Sequence, residues 1–400
     1  MFTISNLTTV KKNGWTYLQC DFDVTDMQNP FSEKKIWVAV EDKNSDMLTD
    51  EVYDAFVLVP LMMGMFYKQD VHIEGKISPR FYHNIQHYLI PIFANFSDYT
   101  HRVKFSVSGI KKLANYSPEL IGTGISCGVD SLVSLYDNYV MENNEDFKVN
   151  SLFFFNCGTH GDYENENSRR IWLERSELNR SAADALGLPM YVMDSNFHAF
   201  THKFGEQKIG YLAIYSCILA FQKVLKRYIT SSNLSYDEIS NNWKLSRDLD
   251  IAEYCESYMP HLISTEHFEL VIDGCQYTRA EKVERISEWE IAQKHLNVCL
   301  NPVDHGHNCS CCEKCMWTLI PLEAIGKIDR FSAVFDYDIY RKNAGLYKKM
   351  FVYSRNKDAM RNSILEFCER KGMPVPNRLW SFIYISCFRL KRKVKTIFSR

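Results

Sequence analysis

The stretch Ile121-Gly-Thr-Gly-Ile-Ser-Cys-Gly-Val-Asp-Ser131-Leu-Val-Ser-Leu-Tyr136 constrains the fold more than any other part of the chain. A short Gly/Ile strand enters a turn of small residues, and the turn opens directly into a helix. Leu132, Val133, Leu135, Tyr136, Tyr139 and Val140 recur at helical spacing, which gives that helix an apolar stripe. Ser126, Gly128 and Ser131 keep bulk out of the turn. Backbone N–H groups and two hydroxyls are then left at a helix N-terminus, whose partial positive charge suits a phosphate. The spacing is not that of a Walker loop, because no Gly-Lys-Ser/Thr follows. A strand-turn-helix whose small residues serve packing alone is the competing reading.

The chain that follows alternates strand and helix. Ser151-Leu-Phe-Phe-Phe155 is a continuous apolar run of the buried parallel-strand type, and it ends in Asn156-Cys-Gly-Thr-His160. A helix is expected from Ser168 to Leu186, closed by Gly187. Met190–Met193 and Tyr228–Thr230 read as further short strands, the second leading into Ser231-Ser-Asn233-Leu-Ser-Tyr-Asp237. Repeated β-α units of this length predict a doubly wound parallel sheet, with ligands beyond the carboxyl ends of the strands. Leu270–Asp273 reads as another strand, and Thr278 with Glu281 forms a capping box at the next helix. Arg279 and Lys282 fall in the first turn of that helix, where the dipole disfavours cations. Either an anion sits there or the two belong to a solvated helix face.

Four hundred residues exceed one ordinary core. We expect an α+β segment at 1–115, a nucleotide-binding α/β segment at 116–335 and a helical region at 336–400. In the first, Asp54–Tyr67 is a helix-like apolar run, and Pro91 is expected to kink or end a helix over Ile85–Phe96. The net charge of −2 excludes a global electrostatic case for nucleic-acid binding. Met1–Asn6 lacks the regions of a signal peptide. Thirteen cysteines without an export signal imply a reducing compartment and thiolate chemistry, so a cytoplasmic location is expected.

Cys299, Cys309, Cys312 and Cys315 have the spacing C-x9-C-x2-C-x2-C, with Cys311 surplus. Two short steps place thiolates on a tight turn and a distant fourth closes a tetrahedral site, so a structural zinc is expected. His305 and His307 lie inside the loop and could replace one thiolate. Cys127 and Cys157 are read as buried packing residues, with thiol nucleophiles as the alternative. The last segment joins an apolar run, Leu379–Phe388, to six basic residues among the final twelve. It is too short to span a bilayer. The readings are a docking helix with a solvated basic end, or contact with a membrane surface or nucleic acid.

Ser126-Cys-Gly-Val-Asp-Ser131 resembles the Ser-Gly-Gly-x-Asp-Ser signature of PP-loop ATP pyrophosphatases, with Cys127 in place of the first glycine. Together with the late four-cysteine site and Thr278-Arg-Ala-Glu281, residues 120 to 335 resemble 7-cyano-7-deazaguanine synthase and its relatives. The resemblance implies an adenine-nucleotide alpha-hydrolase-like fold, ATP with Mg2+, and a bound Zn2+. It implies adenylation of a substrate carboxylate or amide with pyrophosphate release, coupled to C–N bond formation. Ser126, Cys127, Gly128, Val129, Asp130, Ser131, Asn156 and Asn233 would then hold ATP, while Asp130, Arg279 and Lys282 would carry the chemistry. A tRNA-modifying ligase or thiolase and a non-catalytic nucleotide-binding scaffold are the alternatives. A small-molecule substrate is expected, with a protein or RNA partner and a homodimer as further options.

Overall fold

The computed structural model describes residues 1–96, 99–114, 116–158, 164–202, 206–246, 257–299, 308–355 and 357–398. The chain forms two compact units that interleave in sequence. The first holds Met1–Ile125, Asp137–Ser231 and Leu249–Asp273; the second holds Ser126–Tyr136, Ser232–Asp248 and Gly274–Arg400.

The first unit is built on ten strands: β1 (Phe2–Lys12), β2 (Trp15–Val24), β3 (Lys35–Glu41), β4 (Val71–Ile77), β5 (Phe105–Ile110), β6 (Leu120–Gly124), β7 (Ser151–Phe155), β8 (Met190–Ser195), β9 (Leu225–Ser231) and β10 (Glu269–Asp273). They form one sheet in the order β10-β9-β6-β7-β8-β3-β2-β1-β4-β5. The five strands from β10 to β8 are mutually parallel. Their order reverses between β6 and β9, as in doubly wound sheets. From β8 onward the sheet turns antiparallel through β3, β2 and β1, and β4 and β5 then add in parallel.

Two expectations therefore change. The sheet is mixed and not parallel throughout, and residues 1–115 supply half of its strands, so the expected boundary at 115/116 runs through one sheet. The cause lies in β3. Ile36, Val38, Ala39 and Val40 are all fully buried, and a consecutive apolar run needs cover on both faces. Such a strand belongs inside a sheet, and pairing of Val38 with Ser195 and of Val40 with Met193 supplies its second neighbour. β1 and β2 are joined at Asn13 (φ 54°) and Gly14 (φ 80°), a two-residue left-handed turn whose twist matches that of the strands.

Alternation along the strands sends side chains to two cores. Phe153 and Met193 join the large core that includes Leu61, Leu212 and Phe221. Phe154 and Val192 face the other way, against Trp172 of the Glu166–Leu186 helix. That helix ends at Gly187 in the left-handed region (φ 68°), whose N–H returns to Ala183 and Asp184, the end expected from the sequence. The run over Ile85–Phe96 is not one regular helix: a π turn over Ile85–Leu89 leads into the helix Ile90–Phe96, with Pro91 at its second position.

The second unit is helical. Val129–Leu135, Tyr236–Ser246, Arg279–Ile286, Glu313–Ala324, Tyr337–Ser354, Ala359–Arg370 and Arg378–Phe398 are its main helices. Asp336 and Asp358 cap two of them by accepting from Ile339 N–H and Arg361 N–H. Among the described residues, no helix is long and apolar enough to cross a membrane.

Candidate functional site

The small-residue turn, as part of the second unit, is stitched to itself. The Ser131 hydroxyl donates to the Gly128 carbonyl at 3.1 Å and lies 3.1 Å from the Ser126 hydroxyl, which accepts from Gly128 N–H at 3.3 Å. The two hydroxyls expected to stand free thus bind one another, and each retains capacity for a further partner. Gly128 precedes the Val129–Leu135 helix in extended conformation with no side-chain cap. Cys127 is left-handed (φ 53°), a conformation that costs an L residue roughly 1–2 kcal/mol. Asn297 N–H donates to the Cys127 carbonyl at 2.7 Å and holds it there. The Cys127 thiol is buried, and burial pushes it up to about 12. It is a packing residue whose side chain does not line the exposed side of the turn.

Arg279 and Lys282 enter from the Arg279–Ile286 helix, which starts with the capping box of Thr278 and Glu281. Neither is solvated: Lys282 is fully buried and the Arg279 side chain is 5% exposed. Arg279 Nη1 donates to Asp130 Oδ2 at 2.6 Å, and Lys282 Nζ donates to Asp130 Oδ1 at 3.0 Å and to the Ser232 carbonyl at 2.5 Å. Burial opposes ionisation of Asp130, but the two cations outweigh it and hold the carboxyl below its usual range. Asp130 is thus their counter-ion and not a cap of the turn. Among the described residues, two buried cations face one carboxylate, an excess of one positive charge. Arg279 Nε is buried with no hydrogen-bond partner among the described residues. An unpaired charge and an orphaned donor in one place each cost several kcal/mol or are met by an anion.

Asn233 is exposed beside Ser232. Asn156 lies in the first unit at the end of β7, where its amide donates to Asp194 Oδ1 at 2.7 Å and is buried. Asp194 also receives Arg169, so Asn156 is engaged in an ionic cluster of the sheet. Cys157 lies in the same unit with its sulfur 3.4 Å from that of Cys217, both buried.

The second cluster is the thiol group. Cys299, Cys309, Cys312 and Cys315 bring their sulfurs within 4.8 Å of one another. Individual separations are 3.9 Å for Cys299–Cys312, 3.9 Å for Cys309–Cys315 and 3.4 Å for Cys312–Cys315. Four sulfurs at the usual zinc distance stand about 3.8 Å apart, so the residues fit a tetrahedral metal such as zinc. The neighbouring Cys312 thiol, burial and the other thiols push Cys315 well above its ordinary value. A cation at the centre removes that opposition to ionisation. Cys311 stands outside the group, and His305 and His307 lie outside the described residues.

Asn308 shapes this knuckle. Its Oδ1 accepts from Val298 N–H at 2.8 Å and Cys299 N–H at 3.1 Å, and its amide donates to the carbonyls of Leu296 and Val334 at 2.8 and 3.0 Å. All of its main bonding capacity is used in a buried position. Sequence reasoning missed Asn308, Asn297 and Ser232. A lone polar residue beside a Cys-x2-Cys step is the available signal for Asn308, whereas Asn297 and Ser232 act through backbone groups and carry no side-chain signal.

No protein-family model matches the chain, and neither a curated protein nor a solved structure does. The fold and the site define an α/β protein with a ten-stranded mixed sheet. Within its helical unit, four cysteines are grouped to hold a metal, and two buried cations converge on a small-residue turn.

Proposed function

We propose that the protein is an ATP-dependent enzyme of the PP-loop type, which adenylates a substrate carboxylate or amide, releases pyrophosphate and couples this to C–N bond formation. The observation that carries the reading is the excess buried charge at Asp130, Arg279 and Lys282, with the orphaned Arg279 Nε. A pyrophosphate is an anion of the right kind to meet both. Backbone N–H groups of residues 126–131 and the Ser126 and Ser131 hydroxyls would take the β,γ-phosphates of ATP with its Mg2+. Arg279 and Lys282 would offset charge as the bond between the α- and β-phosphates breaks, and positioning supplies most of the rest. Zinc on the four cysteines would be structural, since four thiolates leave no open position.

Thermal unfolding with Mg2+ and a non-hydrolysable α,β-methylene ATP tests the reading. Ligand at a hundred times its dissociation constant stabilises by about 2.7 kcal/mol. The wild type should shift upward and Lys282→Met should not. An equal shift in both, or none in the wild type over the soluble range of nucleotide, would overturn the assignment.

A further inference from the structure

The last helix, Arg378–Phe398, is 21 residues long, and over residues 378–390 it leaves most of its apolar surface uncovered. Leu379 is 66% exposed, Trp380 70% and Leu390 64%, and Phe382, Ile383, Tyr384 and Cys387 are exposed as well. Only Ser381 and Ile385 are buried in its first half. Leu379, Ile383, Cys387 and Leu390 follow one another at four, four and three residues, so they form a single stripe on a helix. Val394 and Ile397 continue the spacing in the sequence. The helix is held in place from the side: Phe382 stacks on Tyr353 at 5.5 Å, and Lys349 Nζ lies 4.1 Å from the Tyr384 ring.

Charge decides what the stripe meets. From Arg378 to Arg400 the sequence has seven Lys or Arg and no Asp or Glu, although the whole chain carries −2. A groove of about 700 Å³, lined among others by Val352, Tyr353, Leu379 and Phe382, carries Lys357 and Arg378 at its edge. A second copy of the helix would set like charges together. A nucleic acid would match the cations and leave the Trp380 and Leu390 side chains against water.

We propose that the Arg378–Phe398 helix docks the protein on an anionic lipid surface, lying in the plane of the interface with its apolar stripe toward the acyl chains. Trp and Tyr on such a helix favour the headgroup boundary, and a basic amphipathic helix lies on a bilayer without crossing it. The groove beside Leu379 and Phe382 offers space for part of an acyl chain under a headgroup held by Lys357 and Arg378.

The test is sedimentation of the full chain with vesicles of phosphatidylcholine alone and with phosphatidylserine added, at salt from about 0.1 to about 0.5 M. Binding should need the anionic lipid and weaken with salt. Lys391→Glu with Lys393→Glu should lower the partition coefficient by at least tenfold, since each cation near such a surface is worth roughly fivefold. Trp380→Glu with Ile383→Glu, at exposed positions that leave folding intact by circular dichroism, should abolish it. Three outcomes would overturn the proposal: no binding to anionic vesicles, binding indifferent to Trp380→Glu with Ile383→Glu, or a dimer that this pair of substitutions converts to monomer.

Discussion

Asp130→Ala is the substitution whose effect the structure defines most closely. Asp130 holds Arg279 and Lys282 at 2.6 and 3.0 Å, and its own side chain is 25% exposed. Removing one member of a buried ion cluster leaves uncompensated charge and costs about 3–5 kcal/mol. The partial exposure of Asp130 places the expectation at the lower end, about 3 kcal/mol. Lys282→Met is the contrast. It leaves a balanced Asp130–Arg279 pair, and relief of the excess charge offsets the one carbonyl left unpaired at Ser232, so the net change should stay within about 1 kcal/mol of zero. Urea unfolding followed by tryptophan fluorescence gives both values. Pyrophosphate should restore much of the loss in Asp130→Ala, because the site there carries two unbalanced cations. The wild type adds a pH arm. The Asp130 carboxyl lies below its usual range when folded, so its contribution is full above the unfolded value of about 4. It is lost as pH falls through the lower folded value. Asp130→Ala should lack this acid limb. A loss under about 1 kcal/mol in Asp130→Ala, or a larger loss in Lys282→Met, would refute the charge argument.

Three further outcomes follow from other parts of the molecule. Cys315→Ser should abolish stoichiometric zinc measured by elemental analysis of the purified chain, and a chelator should lower the thermal midpoint of the wild type and leave that of the variant unmoved. Asn308→Ala strips partners from two N–H groups and two carbonyls. It should cost more than about 2 kcal/mol in urea unfolding and weaken zinc retention against a competing chelator. Burial raises Asp54 to about 6 despite hydrogen bonds from Ser78 and Gln222, so stability should fall as pH rises from about 4 to about 6 and stay low above. Asp54→Asn should flatten that limb and gain on the order of 2 kcal/mol at neutral pH, since the new amide can meet Gln222 Oε1, which has no partner among the described residues.

Local chemistry was legible in the sequence to the extent that it is short-range. Thr278 with Glu281, Gly187 after its helix, and the Cys309-Cys312-Cys315 steps each act within a few residues, and each adopts the geometry its spacing implies. The membership of β3 in the larger sheet was legible only in part. Ile36–Val40 shows that both faces are covered, but a run of apolar residues does not name the strand that covers them, and its partner lies more than 150 residues away. The two cations illustrate the same limit. Their place in a first helical turn signalled an anion, and the carboxylate that meets them, Asp130, comes from the turn itself. Nothing in a sequence states that the hydroxyls of Ser126 and Ser131 lie 3.1 Å apart.

The pairing of β3 with β8 has a consequence for how the chain can be made and cut. The first five strands leave the ribosome well before the strand that they must abut, and until β8 arrives Val38 and Val40 present an apolar edge able to recruit any extended neighbour. Removing residues 1–115 to isolate the remaining parallel strands would strip β8 in the same way, opening a flat edge at Met193–Ser195. Such a fragment should be prone to aggregate, and neither it nor the excised N-terminal piece is a module that evolution or an experimenter could transplant unaltered.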